Sequence, residues 1–281
     1  MIDKNIAVKT PLTIQQTQAI SLETLHTVAD ICEKQNFRYF LFYGTLIGAI
    51  RHHGYIPWDD DVDIMMPRPD YDKLLDYLRK HIKEYDHLQL FDPDDCPDYP
   101  YMIARVSDDR YYIVMENEKP YGMGVFIDIY PFDGLGNTHK EALKFALKGD
   151  HLSSIYYQAT RDHFAIETTT SPWRKVVKLP FFWFSKAVGK DRIKGKLSSL
   201  ARVKDYDSSK FVGPVLWLVG GDENIYPREW FDESIIVPYE KYRFRVPKRY
   251  DEVLRKGYGD YMQLPPEKDR IGHHYYKAYK K

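Results

Sequence analysis

Between Tyr43 and Pro69 the chain places four aspartates in five positions, Asp59, Asp60, Asp61 and Asp63, within a segment whose other residues belong in a core. Ile56, Pro57 and Trp58 precede them, and Val62, Ile64, Met65 and Met66 follow. Two close carboxylates repel by about 4 kcal/mol at an effective dielectric near 20, and burying them unpaired is costly again. A fold that accepts this run must supply compensating charge, and a divalent cation is the simplest source.

Val62 to Met66 reads as a strand ending at Pro67. Side chains two apart on a strand share a face, so Asp61 and Asp63 are expected on one side while Val62 and Ile64 enter the core. A second strand, Gly124 to Tyr130, alternates Val125, Ile127 and Ile129 with Phe126 and Asp128. If the two strands are neighbours, Asp61, Asp63 and Asp128 converge, as they must to hold a pair of Mg²⁺ ions, or Mn²⁺, about 3.5–4 Å apart for phosphoryl transfer. Gly44 lets backbone approach a phosphate, and the N–H groups of a short helix expected after Thr45 favour an anion. Arg51 offers a forked donor to the same phosphates.

Other metal chemistries fit poorly. Asp59, Asp61, Asp63 and Asp70 match positions 1, 3, 5 and 12 of a calcium loop, but Ile64 and Asp70 stand where that loop needs glycine and glutamate. The pairs His52-His53 and His273-His274 lack a cysteine or i, i+4 partner, so no zinc set forms and both read as turn or surface histidines.

Elsewhere the chain alternates helical and strand-like signals. Ile14, Leu22, Leu25, Val28, Ala29 and Cys32 recur at helical spacing from Thr13 to Glu33, and Phe37 to Tyr43 reads as a buried strand closed by Gly44. Tyr71 to Leu78 is helical, Asp92 to Tyr101 a loop, and Met102 to Val106 and Tyr111 to Met115 are strands. After Asp133-Gly134 the pattern is helical and polar to about Thr160, and Tyr226 to Tyr261 holds strand-like runs at Ser234 to Pro238 and Tyr258 to Tyr261. The pattern predicts an α+β fold, a small mixed sheet flanked by helices. Residues 1–136 are expected as a catalytic core, 137–215 as a helical insertion and 216–281 as a C-terminal elaboration packed on the core, unless all three form one compact unit.

Lys plus Arg and Asp plus Glu balance at 41 each, which disfavours nucleic acid as a partner, as does the lack of a reading module. Charge is concentrated only locally. From Pro172 to Lys196, Trp173, Phe181, Phe182, Trp183 and Phe184 accompany eight basic residues and one acidic residue, Asp191. Two readings follow: a peripheral contact with anionic lipid headgroups on the inner membrane surface, or a helical hairpin broken at Pro180 whose aromatics pack on the core. Cys32 and Cys96 have neither metal-ligand nor disulfide-framework spacing, Met1 to Lys9 lacks the apolar block of a secretory signal, and no apolar run approaches a membrane span. A cytoplasmic protein is expected.

The Gly-Thr turn, the Asp-x-Asp strand and the later strand carboxylate resemble the nucleotidyltransferase superfamily. The fuller string, Tyr43-Gly44-Thr45 through Arg51 and Gly54-Tyr55-Ile56-Pro57-Trp58 to Asp63, more specifically resembles the LicD family, whose bacterial members transfer phosphocholine from CDP-choline to cell-surface glycans. Fukutin-type relatives transfer other phosphoalcohols. The likeness continues through Phe126 to Gly134, Pro227 to Phe231 and Tyr258 to Tyr261. It implies a nucleotidyltransferase-like core, with Asp61 and Asp63 as metal ligands and Gly44-Thr45 near the donor phosphates. Asp128, or alternatively Asp133, would be the third carboxylate, and Asp128 the acceptor of the sugar hydroxyl's proton. Asp59 and Asp60 would orient ligands from behind. The implied partners are CDP-choline and a lipid-linked glycan acceptor such as a teichoic acid precursor. Choline needs an aromatic pocket, for which Trp58, Tyr130, Tyr258 and Tyr261 are candidates because they flank the motifs. Transfer of ribitol or glycerol phosphate, nucleotidyl transfer from a nucleoside triphosphate, and non-catalytic nucleotide binding are the alternatives.

Overall fold

The computed structural model describes residues 10–97, 99–115, 118–164, 172–217, 221–270 and 276–281, without side chains for 172–177. Met1 to Lys9, His273-His274 and the Trp173 side chain lie outside the described residues.

Thr13 opens helix α1 (Ile14–Gln35) with a capping box: its hydroxyl accepts from the Gln16 N–H and the Gln16 side chain accepts from the Thr13 N–H. Asn36 closes the helix in the left-handed conformation, at φ 57°. Leu22, Leu25, Val28, Ala29 and Cys32 form the stripe that enters the core. Strand β1 (Phe40–Leu41) follows, then helix α2 (Tyr43–Ile47), which continues as wider π-turns over Gly48–His52. Next come β2 (Asp63–Pro67), α3 (Arg68–His81), β3 (Leu88–Phe91), β4 (Ala104–Asp108), β5 (Tyr111–Met115) and β6 (Val125–Gly136).

The principal sheet runs β1-β2-β6-β4-β3. Only β2 and β6 are parallel along this path, so the sheet is mixed, and helices flank it as the α+β pattern predicts. Every residue of β6 is buried, which places the longest strand at the centre. Beyond it lie helices α4 (His139–Thr160), α5 (Pro172–Val188) and α6 (Lys190–Ala201). The last two pack against α4, around a cluster that includes Ala142, Ala146, Ile193, Leu197 and Leu200. Gly189 joins α5 to α6 at φ 83°, a conformation that strains any residue with a β-carbon.

The chain then adds β7 (Phe211–Gly213), β8 (Tyr226–Pro227), β9 (Ser234–Tyr239), β10 (Tyr242–Pro247), α7 (Tyr250–Tyr258) and β11 (Tyr276–Lys280). β7 pairs with the far end of β6, β8 with β7, and β11 with β5, while β9 and β10 make a hairpin.

Three local expectations change. The strand expected over Phe37 to Tyr43 shortens to Phe40–Leu41, because the chain turns at Tyr43, whose φ is 46°. Gly44, expected to make the turn, lies in the first turn of α2, and a β-carbon there would come 2.7 Å from Asp59 Oδ2, which would have to shift. Tyr258 to Tyr261 is no strand either; Tyr258 ends α7, a nine-residue helix that buries Val253 and Leu254.

Candidate active site

Strand register builds the site. Asp63 on β2 is the direct partner of Asp128 on β6, which is in turn the partner of Arg105 on β4. Directly paired residues project to one face, so Arg105, Asp128 and Asp63 form a row across three strands. Arg105 Nε donates to Asp128 Oδ1 at 2.5 Å and Nη2 to Oδ2 at 3.3 Å. Its guanidinium lies 3.9 Å from the Tyr101 ring and 4.1 Å from that of Phe126. Both members of this pair are buried.

Asp63 lacks such a partner. Its Oδ1 is buried with no hydrogen bond, and burial, reinforced by the charges of Asp61, Asp128 and Asp59, holds its carboxyl well above the usual range. The backbone around it is tightly held. The Asp63 N–H donates to Thr45 Oγ1 at 2.9 Å, the Phe42 N–H to the Asp63 carbonyl at 3.0 Å, and the Asp128 N–H to the Val62 carbonyl at 2.8 Å.

Asp63 lines a cavity of about 610 Å³. From the first motif come Tyr43, Gly44, Ile47, Arg51, Ile56, Trp58, Asp59 and Asp61, and from the C-terminal region Tyr258, Asp260, Tyr261, Gln263, Leu264, Pro265 and Pro266. Arg51 links the two halves, its Nη1 donating to the Tyr261 carbonyl at 2.6 Å. The Tyr261 hydroxyl donates to Asp251 at 2.8 Å. Ligand oxygens of Asp59, Asp60 and Asp61 all lie within 4.8 Å of one another. A hard, oxygen-liganded cation suits this donor set, and the partnerless Asp63 Oδ1 is the observation that favours one.

Several expected site residues stand elsewhere. Thr45 is buried and does not line the cavity; its hydroxyl pins the start of β2. Tyr130 is 5% exposed and sits behind Tyr43, rings 5.1 Å apart, so it supports the cavity without lining it. Asp128 is adjacent to Asp63 as expected, but it is 2% exposed, absent from the cavity lining and already bonded through both oxygens to Arg105. Its placement does not suit it to receive a substrate proton. Asp133, the alternative third carboxylate, lies five residues further along β6 and hence on the opposite face. There it accepts from Arg68 Nε at 2.6 Å and Nη2 at 3.1 Å.

Sequence reasoning missed Arg105, Asp260 and the Gln263–Pro266 stretch. Arg105 had a signal: Ala104 and Val106 mark a buried strand, and a buried arginine demands an acid partner. Asp260 stood only within the Tyr258 to Tyr261 likeness with no role attached, because only the folded chain brings residues 258–266 against residues 43–63.

Residues 36–161 match the family described as LicD/FKTN/FKRP, nucleotidyltransferase domain. Over 269 residues the chain is 32% identical to the lipopolysaccharide cholinephosphotransferase LicD of Haemophilus influenzae, covering 95% of this chain and 98% of that one. An uncharacterised protein of Rickettsia typhi is 31% identical over 150 residues, 46% of this chain and 47% of its own. With full-length similarity added to the carboxylate row and its cavity, the chain belongs to the LicD family.

Proposed function

We propose that this protein transfers phosphocholine from CDP-choline to a sugar hydroxyl of a lipid-linked, cell-surface glycan precursor, releasing CMP in a Mg²⁺-dependent reaction. The observation that carries the reading is the buried Asp63 carboxylate, partnerless at Oδ1, on a cavity of about 610 Å³ with both acidic and aromatic lining. The name of the Haemophilus influenzae relative supports the group transferred.

Asp61 and Asp63 would hold the cation. Asp128 would complete the set through lone pairs that Arg105 leaves unused, a carboxylate having about four such sites. Bound there, the ion would offset negative charge on the reacting phosphate and the departing CMP. The residues supply the rest. Arg105 keeps Asp128 in one orientation, and Thr45 fixes the backbone from which Asp63 projects. Trp58, Tyr258 and Asp260 line the same cavity, a combination of rings and negative charge suited to a quaternary ammonium. As the acceptor oxygen bonds to phosphorus and the bond to CMP breaks, the hydroxyl proton passes to a lining carboxylate. Asp61, half-buried on the cavity, fills that role in place of Asp128.

The test incubates purified protein with Mg²⁺ and CDP-choline, CDP-ribitol or CDP-glycerol, with and without a glycan acceptor, and scores CMP release. The expected result is acceptor-dependent release from CDP-choline, abolished by chelation, with a phosphocholine adduct by mass spectrometry. A nucleotidyl adduct, or a calorimetric titration without Mg²⁺-dependent binding of CDP-choline, would overturn the reading.

A further inference from the structure

Along α5 the residues Leu179, Pro180, Trp183, Phe184 and Ala187 are all exposed. Trp183 is 64% exposed, Phe184 55% and Leu179 42%. Spaced three, four and five apart, they form one apolar stripe on the outer side of the helix, whereas Phe182 and Ser185 face inward and are buried. The aromatic segment thus divides its side chains between the core and the surface. A contiguous exposed patch holding Trp and Phe marks an interaction site more often than a random surface does.

The charge around the stripe indicates what it meets. Residues 172–196 carry eight basic side chains against Asp191 alone, in a protein of zero net charge. Three lysines turn inward as clamps: Lys186 Nζ donates to the carbonyls of Ala159, at 3.0 Å, and Arg161, Lys190 Nζ to that of Pro97 at 2.6 Å, and Lys194 Nζ to that of Pro93. Lys178, Arg192 and Lys196 are exposed near the stripe in sequence. Aromatic residues flanked by cations on a surface helix suit the boundary between lipid headgroups and acyl chains, where rings enter and basic groups meet phosphates. Among the described residues no helix is long and apolar enough to cross a membrane.

We infer that the α5–α6 hairpin docks peripherally on an anionic lipid surface, with Trp183 and Phe184 entering the headgroup region. This deepens the proposed function and rests on it in one respect: a lipid-linked acceptor is met where the enzyme touches the bilayer.

The test floats the full chain with vesicles of phosphatidylcholine alone or mixed with phosphatidylglycerol, at low salt and at about 0.5 M salt. Wild type is expected to float with the anionic vesicles at low salt and to be released by salt. Two double variants, Trp183→Ser with Phe184→Ser and Arg192→Glu with Lys196→Glu, should each lose binding by about tenfold or more, with unchanged circular dichroism melts. Wild type left at the bottom of the gradient, equal flotation with both vesicle types, or both variants floating like wild type would overturn the inference. CMP release with a water-soluble acceptor should be unchanged in the Trp183→Ser, Phe184→Ser variant. Flotation without CMP release from any donor would sink the transferase reading and leave the docking standing; CMP release without flotation would do the reverse.

Discussion

Asp63 and Asp133 are both buried in the principal sheet, and burial raises both carboxyls above their ordinary range; they differ in what answers them. Asp133 receives two hydrogen bonds from Arg68 and is enclosed; Asp63 faces a cavity, has a partnerless oxygen and is pressed by Asp61, Asp128 and Asp59. A carboxylate answered by its own arginine contributes to the integrity of the fold. A carboxylate left unanswered against an open cavity destabilises the empty protein, and that cost is recovered only when something positive binds. Asp128 lies between the two cases, answered by Arg105 yet adjacent to Asp63.

The largest effect should come from Asp63→Asn. It is expected to lower phosphocholine transfer by about 10³-fold or more, because charge stabilisation of the reacting phosphate is lost. Metal-free stability should not fall, since the amide removes a repelled buried charge; steady-state rates and urea unfolding on one preparation check both halves.

Asp133→Asn should invert that pattern. Removing one member of a buried pair costs about 3–5 kcal/mol, and the lower end is expected because Asp72 remains 3.6 Å from Arg68. The rate per folded molecule should stay close to wild type. A variant that was stable but inactive would break the comparison.

A pH series sharpens it. Asp63 has a folded-state pKa above its unfolded value, so its ionisation disfavours the fold. Its contribution to metal-free stability is greatest below the ordinary carboxylate range and declines as pH rises from there through the raised folded value. The difference in unfolding free energy between wild type and Asp63→Asn should show this fall, and Mg²⁺ should reduce it. A difference independent of pH would mean that Asp63 is not desolvated.

Thr45→Val should have the smallest effect, about 1 kcal/mol of stability, through loss of the acceptor for the Asp63 N–H. A modest rate loss should accompany it, as the start of β2 loosens. A rate loss without a stability loss would assign Thr45 a contact with substrate, and no change in either would remove this supporting role.

Much of the site was legible because strand parity is local. Asp63 beside Val62 and Ile64, and Asp128 among Ile127 and Ile129, announced acids on a buried sheet, and the register did bring Asp63 beside Asp128; Asp61, expected on the same strand face, lies before β2 and groups with Asp59 and Asp60 instead. Parity also separates Asp128 from Asp133, five residues apart on one strand, although only the length of β6 made that argument available. That Arg105 needed an acid was legible, but that the acid was Asp128 was not, since it depends on β4 being the other neighbour of β6. Tyr130 and Thr45 were placed near the motif correctly but on the wrong side of its surface, because sequence proximity does not say whether a side chain lines a cavity or supports its wall.

By itself the sequence determined that buried strands would carry aspartates, that helices would flank a mixed sheet, and that one segment would concentrate aromatic and basic residues. These follow from periodicity and from the cost of burying charge, which act within a few residues. Tertiary structure alone decided which acid received an arginine, which loop closed the cavity from residues 258–266, and which aromatics of α5 faced outward. Each of those outcomes depends on strand order and helix packing, contacts between residues distant in the chain that no local pattern specifies.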